Sequence, residues 1–171
     1  MLFRSTTTTT STSTTTSTTT TLPTGNTFGN AVEFPDASAH SADYLVGSPI
    51  TVPTPSVLTH LAVIGKASGA NVMLALYSDP GGDPDHLVAA TGAVPMSVGA
   101  MEIPVAPMSL AAGTYWLMGV YDADASIGID ENDPNAPDCY APHVFSDALP
   151  DPFGSSFPYS GQRFNYYVRV Q

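Results

Sequence analysis

The chain has 171 residues, 43% hydrophobic and only 11% charged, with four Lys and Arg against fifteen Asp and Glu for a formal net charge of −11. So acidic a surface repels nucleic acid and anionic membranes, and neither is expected as a partner. Cys139 is the only cysteine, which excludes an intrachain disulfide and leaves the core alone to hold the fold.

In chain order the first feature is a tract from Ser5 to Thr21 in which every residue is Ser or Thr. It has nothing apolar to bury and no charge, so it cannot fold by itself, and its hydroxyls are its chemistry. Those hydroxyls are the expected O-glycosylation sites: Ser5, Thr6, Thr7, Thr8, Thr9, Thr10, Ser11, Thr12, Ser13, Thr14, Thr15, Thr16, Ser17, Thr18, Thr19, Thr20 and Thr21. N-linked sugar is excluded because Asn26, Asn30, Asn71, Asn132, Asn135 and Asn165 all lack a hydroxyl residue two positions on.

Fully extended, the tract reaches about 55 Å at roughly 3.3 Å per residue. Three roles suit it: a mobile coil, a stalk stiffened by dense glycosylation, or an extended β-strand laid along the edge of a neighbouring subunit. The opening residues Met1 to Ser5 lack the apolar stretch of a signal peptide, and no run reaches the roughly 18 apolar residues that span a membrane. A leader already removed, or a longer parent chain, is the expectation that follows.

Residues 22–171 read as one domain of a size that a single core can stabilise. Sixteen prolines and fourteen glycines break it into short apolar runs without helical periodicity. Ten strands are expected: Ala31 to Phe34, Pro49 to Val52, Ser56 to Ile64, Asn71 to Ser78, His86 to Thr91, Ala100 to Val105, Gly113 to Tyr121, Ser126 to Asp130, Cys139 to Phe145 and Arg163 to Val170. Short strands between Pro/Gly turns make an all-β antiparallel β-sandwich. The runs from Ser56, Asn71, Tyr115 and Tyr166 are apolar on both alternating faces, which marks them as the central strands of doubly covered sheets.

The order ALYSD (Ala75 to Asp79), GGDPDHLVA (Gly81 to Ala89) and LAAGTYWLMGV (Leu110 to Val120) resembles jelly-roll-like β-sandwich domains of secreted and surface-anchored bacterial proteins. The resemblance runs from about Ile50 to Val120. It implies a fold and an extracellular, cell-surface setting rather than a chemistry, because most members of that group have no assigned activity.

The densest set of oxygen ligands is the acidic loop after the Gly113 to Tyr121 run. Asp122, Asp124, Ser126, Asp130 and Asp133 imitate the spacing of a helical calcium loop, and calcium is the one ion the sequence suggests. The imitation lacks the required glycine, where Ile127 stands, and a solvated loop of Asx-turns is the competing reading. The turn Asp79 to His86 brings Asp83, Asp85 and His86 together, though its Pro and Gly mark it first as a turn.

The four histidines form no metal-binding pair, and no nucleophile elbow, P-loop or dinucleotide fingerprint occurs. Glu102 is the glutamate best placed for glycosidase chemistry but has no evident partner. Phe153, Phe157 and Tyr159 lie in an aromatic loop that offers either a stacking platform for sugar or a packed interface.

These features lead to a non-enzymatic extracellular structural module, an O-glycosylated subunit of a stalk, layer or filament that self-associates into a homopolymer. The alternative is a carbohydrate-binding or adhesive module on a glycosylated linker.

Overall fold

The computed structural model describes residues 25–171; the Ser5 to Thr21 tract and its expected glycosylation sites lie outside the described residues. In chain order the strands are β1 (Asn26–Gly29), β2 (Asp36–His40), β3 (Tyr44–Val52), β4 (Ser56–Gly65), β5 (Asn71–Ser78), β6 (Leu87–Ala90) and β7 (Val94–Pro95). They continue as β8 (Gly99–Leu110), β9 (Gly113–Tyr121), β10 (Ala125–Asp130), β11 (Pro137–Pro142), β12 (Phe157–Ser160), β13 (Arg163–Phe164) and β14 (Tyr166–Val170).

Two seven-stranded antiparallel sheets pack face to face, so the all-β sandwich expected from the sequence is the fold. One sheet runs β1-β14-β4-β10-β13, with β8 also on β4 and β2 on β10; the other runs β12-β11-β3-β9-β5-β6, with β7 also on β5.

The central strands are those whose sequences are apolar on both faces. Val72, Leu74 and Leu76 of β5 and Leu117 and Tyr121 of β9 point into the core between the sheets. The alternate residues Ala75, Tyr77, Trp116, Met118 and Val120 form a second layer on the outer face, roofed by Phe145, Leu149 and Phe153 from the 143–156 loop. β4 is double-sided in the same way: Leu58, Leu61 and Val63 face inward, while Ala62 and Ile64 pack outside with Tyr167. An apolar run without alternation is therefore the signature of a strand buried twice.

The strand expected at Ala31 to Phe34 does not form. Asn165, fully buried, takes that segment as a loop: its Nδ2 donates to the carbonyls of Asn30 (2.9 Å) and Val32 (2.8 Å), and its Oδ1 accepts from the Phe34 N–H (2.8 Å). The flanking segments pair instead, β1 with β14 and β2 with β10.

Asn165 also divides the expected Arg163 to Val170 strand. Its backbone N–H bonds Gly128 O and its carbonyl accepts from Ile64 N–H, so the chain changes partner there from β10 to β4. The opposing residue must be Gly128, because a Cβ at that position would overlap Asn165 Oδ1.

The strand expected to reach Phe145 ends at Pro142, after which His143 N–H bonds Asp43 O (2.9 Å). Proline also occupies β7 (Pro95), β8 (Pro104 and Pro107) and β12 (Pro158), strands at the margins of the sheets. A residue without an N–H makes a poor template for pairing with another chain.

Candidate functional site

Strand alternation builds the site. In β3, Tyr44, Val46, Ile50 and Val52 share one face; Ile50 and Val52 lie in the core between the sheets. β11 pairs with β3 so that Tyr140 stands opposite Val46, and β12 pairs with β11 so that Tyr159 and Phe157 stand opposite Asp138 and Tyr140. Tyr44, Asp138, Tyr140, Phe157 and Tyr159 therefore belong to the same inner face as the core. They sit where the opposing sheet no longer covers it: Ile50 is 3% exposed, Tyr44 37%, Tyr140 38%, Phe157 53% and Tyr159 59%.

Among the described residues eight large hydrophobic side chains are exposed, and the four aromatic ones are these four rings; the others are single valines. Exposure of aromatic area in one contiguous patch marks an interaction site, whereas lone valines need no explanation.

The rings are ordered against one another. Tyr140 stacks on Phe157 with centroids 5.3 Å apart and an interplanar angle of 21°, and Tyr44 meets Tyr140 edge-on at 6.1 Å. Beside them opens a cleft of about 430 Å³, walled by Ser38 to Ser41 from the end of β2, by Tyr44, Val46, Asp138, Tyr140 and Tyr159, and by Gln162 from the β12–β13 turn.

The cleft's polar groups are unusual. Asp138 is only 4% exposed; its Oδ2 accepts from Gln162 N–H at 3.0 Å, and burial pushes its carboxyl up to about 6. His40 is also buried, edge-on to Phe164 at 5.0 Å, with Nε2 unpartnered; burial lowers it to about 4, so it is neutral at pH 7. Gln162 Nε2 donates to Glu131 Oε1 at 3.1 Å, which orients the amide.

The other expected sites resolve differently. The calcium ligands are not brought together. Asp122 accepts from Asn71 N–H (2.6 Å), Asp124 from Ala42 N–H (3.3 Å), and Asp130 from Asn132 N–H (3.0 Å) and the Arg163 guanidinium. Ser126 lies in the β10 ladder opposite Ala39, and Asp133 forms the expected Asx-turn with Asn135 N–H (3.1 Å). Among the described residues no group of three or more His, Cys, Asp or Glu is assembled for a metal. The loop's carboxylates brace neighbouring strands, and the hydrogen bonds hold Asp122 and Asp130 below the usual carboxylate range.

His86 bonds Asp151 Oδ1 (2.9 Å) rather than joining Asp83, and so ties the 143–156 loop to the start of β6. Glu102 is held by Arg169 through Nε (2.6 Å) and Nη2 and by the Tyr167 hydroxyl (3.1 Å), which lowers its carboxyl and leaves it a structural ion pair.

The aromatic platform is corrected in part. Phe153 is buried against Tyr77, edge-on at 4.8 Å, on the opposite face of the sheet from Phe157 and Tyr159. Sequence reasoning missed Tyr44, His40, Asp138 and Gln162 as members of the site. The period-two spacings Tyr44-x-Val46, Asp138-x-Tyr140 and Phe157-x-Tyr159 carried the signal, but only the register between strands aligns them.

No family model, no curated protein and no solved structure matches this chain, so the fold and the cleft stand on their own geometry.

Proposed function

We propose that this chain is a non-enzymatic extracellular module that binds saccharide through the aromatic cleft and is held away from its anchor by the O-glycosylated Ser5 to Thr21 tract. The observation that carries this reading is the gathering of all four exposed aromatic rings of the described residues beside one polar cleft. Pyranose rings present C–H faces that stack on aromatic faces, and the hydroxyls between them suit side chains such as Gln162, Asp138, Ser38 and Ser41. The resemblance to jelly-roll-like domains of secreted or surface-anchored bacterial proteins agrees with a cell-surface location.

The first described strand, β1, pairs through Asn26 with Val170 of β14, whereas the cleft is lined by Gln162, eight residues earlier in the chain than Val170.

The assembly reading, a filament or layer subunit built by strand addition, would have to use a margin free of proline such as β1, β2 or β6, because proline interrupts β7, β8 and β12.

The test is a neutral glycan array followed by calorimetry on the best ligand. Tyr159→Ala and Tyr140→Ala should each weaken binding about tenfold, the worth of roughly 1.4 kcal/mol of stacking and buried area. Absence of binding across the array, or full affinity in both variants, overturns the reading. Light scattering that finds concentration-dependent oligomers without ligand would instead support assembly, and intact mass spectrometry of native material checks the glycans.

A further inference from the structure

We infer that the saccharide taken by this cleft carries a free amine, a protonated amino sugar whose ammonium group pairs with Asp138. The inference rests on the saccharide reading above and names its ligand class.

Asp138 is buried in the wall of the cleft, and among the described residues no Lys, Arg or His lies within ion-pair distance of it. Its one hydrogen bond, from Gln162 N–H, would be accepted equally well by an uncharged asparagine. The fold therefore has no use for the charge, which burial makes costly.

Nearby groups do not supply a counter-charge. Arg163, next to Gln162 in the chain, is committed to Asp130, and its guanidinium lies over the Phe34 ring at 6.0 Å. His40, in the opposite wall, is neutral at pH 7. Glu131, which holds Gln162, adds a second negative charge near the rim.

Around Asp138 stand Tyr140 and Tyr159, rings whose faces attract a cation. A carboxylate beside exposed tyrosine rings is a receptor for an ammonium, and the stacked Tyr140–Phe157 pair supplies the platform for the pyranose that bears it. The net charge of −11 also repels uronate or sulfated sugars and draws cationic ones toward the surface.

Calorimetry at neutral pH with β-linked glucosamine oligomers and the same oligomers N-acetylated tests this directly. The free-amine oligomer should bind at least tenfold more tightly, as expected for a charge-assisted hydrogen bond. Asp138→Asn should level the two affinities by weakening the free-amine oligomer at least tenfold more than the acetylated one. Asp83→Asn, which removes one charge from the turn between β5 and β6, should leave the preference intact and so separates the site from general attraction to an acidic protein.

Equal affinity of the two oligomers for the parent protein, or a preference that survives Asp138→Asn, overturns the inference while leaving the saccharide reading in place. A lysine oligomer of equal charge that binds as tightly also overturns it. If neither these oligomers nor any glycan on the neutral array binds, the saccharide reading fails with it.

Discussion

Replacing Asn165 with alanine tests the account of how the N-terminal segment is fastened. The side chain makes three hydrogen bonds, two donated to Asn30 O and Val32 O and one accepted from Phe34 N–H, all between 2.8 and 2.9 Å and anchored on a fully buried residue. At a net value of about 1 kcal/mol each, their loss should cost roughly 3 kcal/mol. For a domain of this size that lowers the melting temperature by about 6–12 °C. Circular dichroism melts and urea titrations, with the denaturant slope unchanged, would measure it.

A double-mutant cycle sharpens the test. Gly128→Ala alone drives a methyl group into Asn165 Oδ1 and should be strongly destabilising, whereas in the Asn165→Ala background that atom is gone and the cost should largely vanish. A single variant that melts within about 2 °C of the parent, or a Gly128→Ala cost that is the same in both backgrounds, would refute the reasoning.

The roof on the outer layer is open to a similar trial: Phe153→Ala empties a site 5% exposed beside Tyr77 and should cost about 3 kcal/mol, read by chemical denaturation, without changing the cleft on the other face. The pH dependence carries a sign. Because burial raises the Asp138 carboxyl to about 6, the native state holds that proton longer than the unfolded chain does, so stability falls as pH rises from the ordinary carboxylate range through about 6. Asp138→Asn should match the parent at about pH 4 and melt higher at about pH 8; a variant equally destabilised at both would show that the carboxylate is needed by the fold.

Much of the architecture was legible because double burial writes itself into sequence. β5 and β9 have the expected bounds, since runs such as Val72 to Tyr77 and Tyr115 to Val120 leave no polar face for solvent. The N-terminal strands were misplaced because what fixes residues 30–34 is a single amide more than a hundred residues away, a constraint no local pattern carries. β12 was missed because a four-residue exposed run containing Pro158 looks like a loop. The acidic loop promised a metal by spacing, yet its carboxylates turn to Asn71, Ala42 and Arg163 from other parts of the chain.

The sequence by itself determined the class of fold, the acidic composition, the lack of an intrachain disulfide and the hydroxyl tract, because composition and period are local properties of the chain. Tertiary structure alone decided the cleft. Tyr44, Asp138, Tyr140, Phe157 and Tyr159 come from three strands, and a shift of one residue in either pairing would turn part of that set to the opposite face. Whether they end as core or as an exposed site depends on where the opposing sheet stops, which is set by how the two sheets meet.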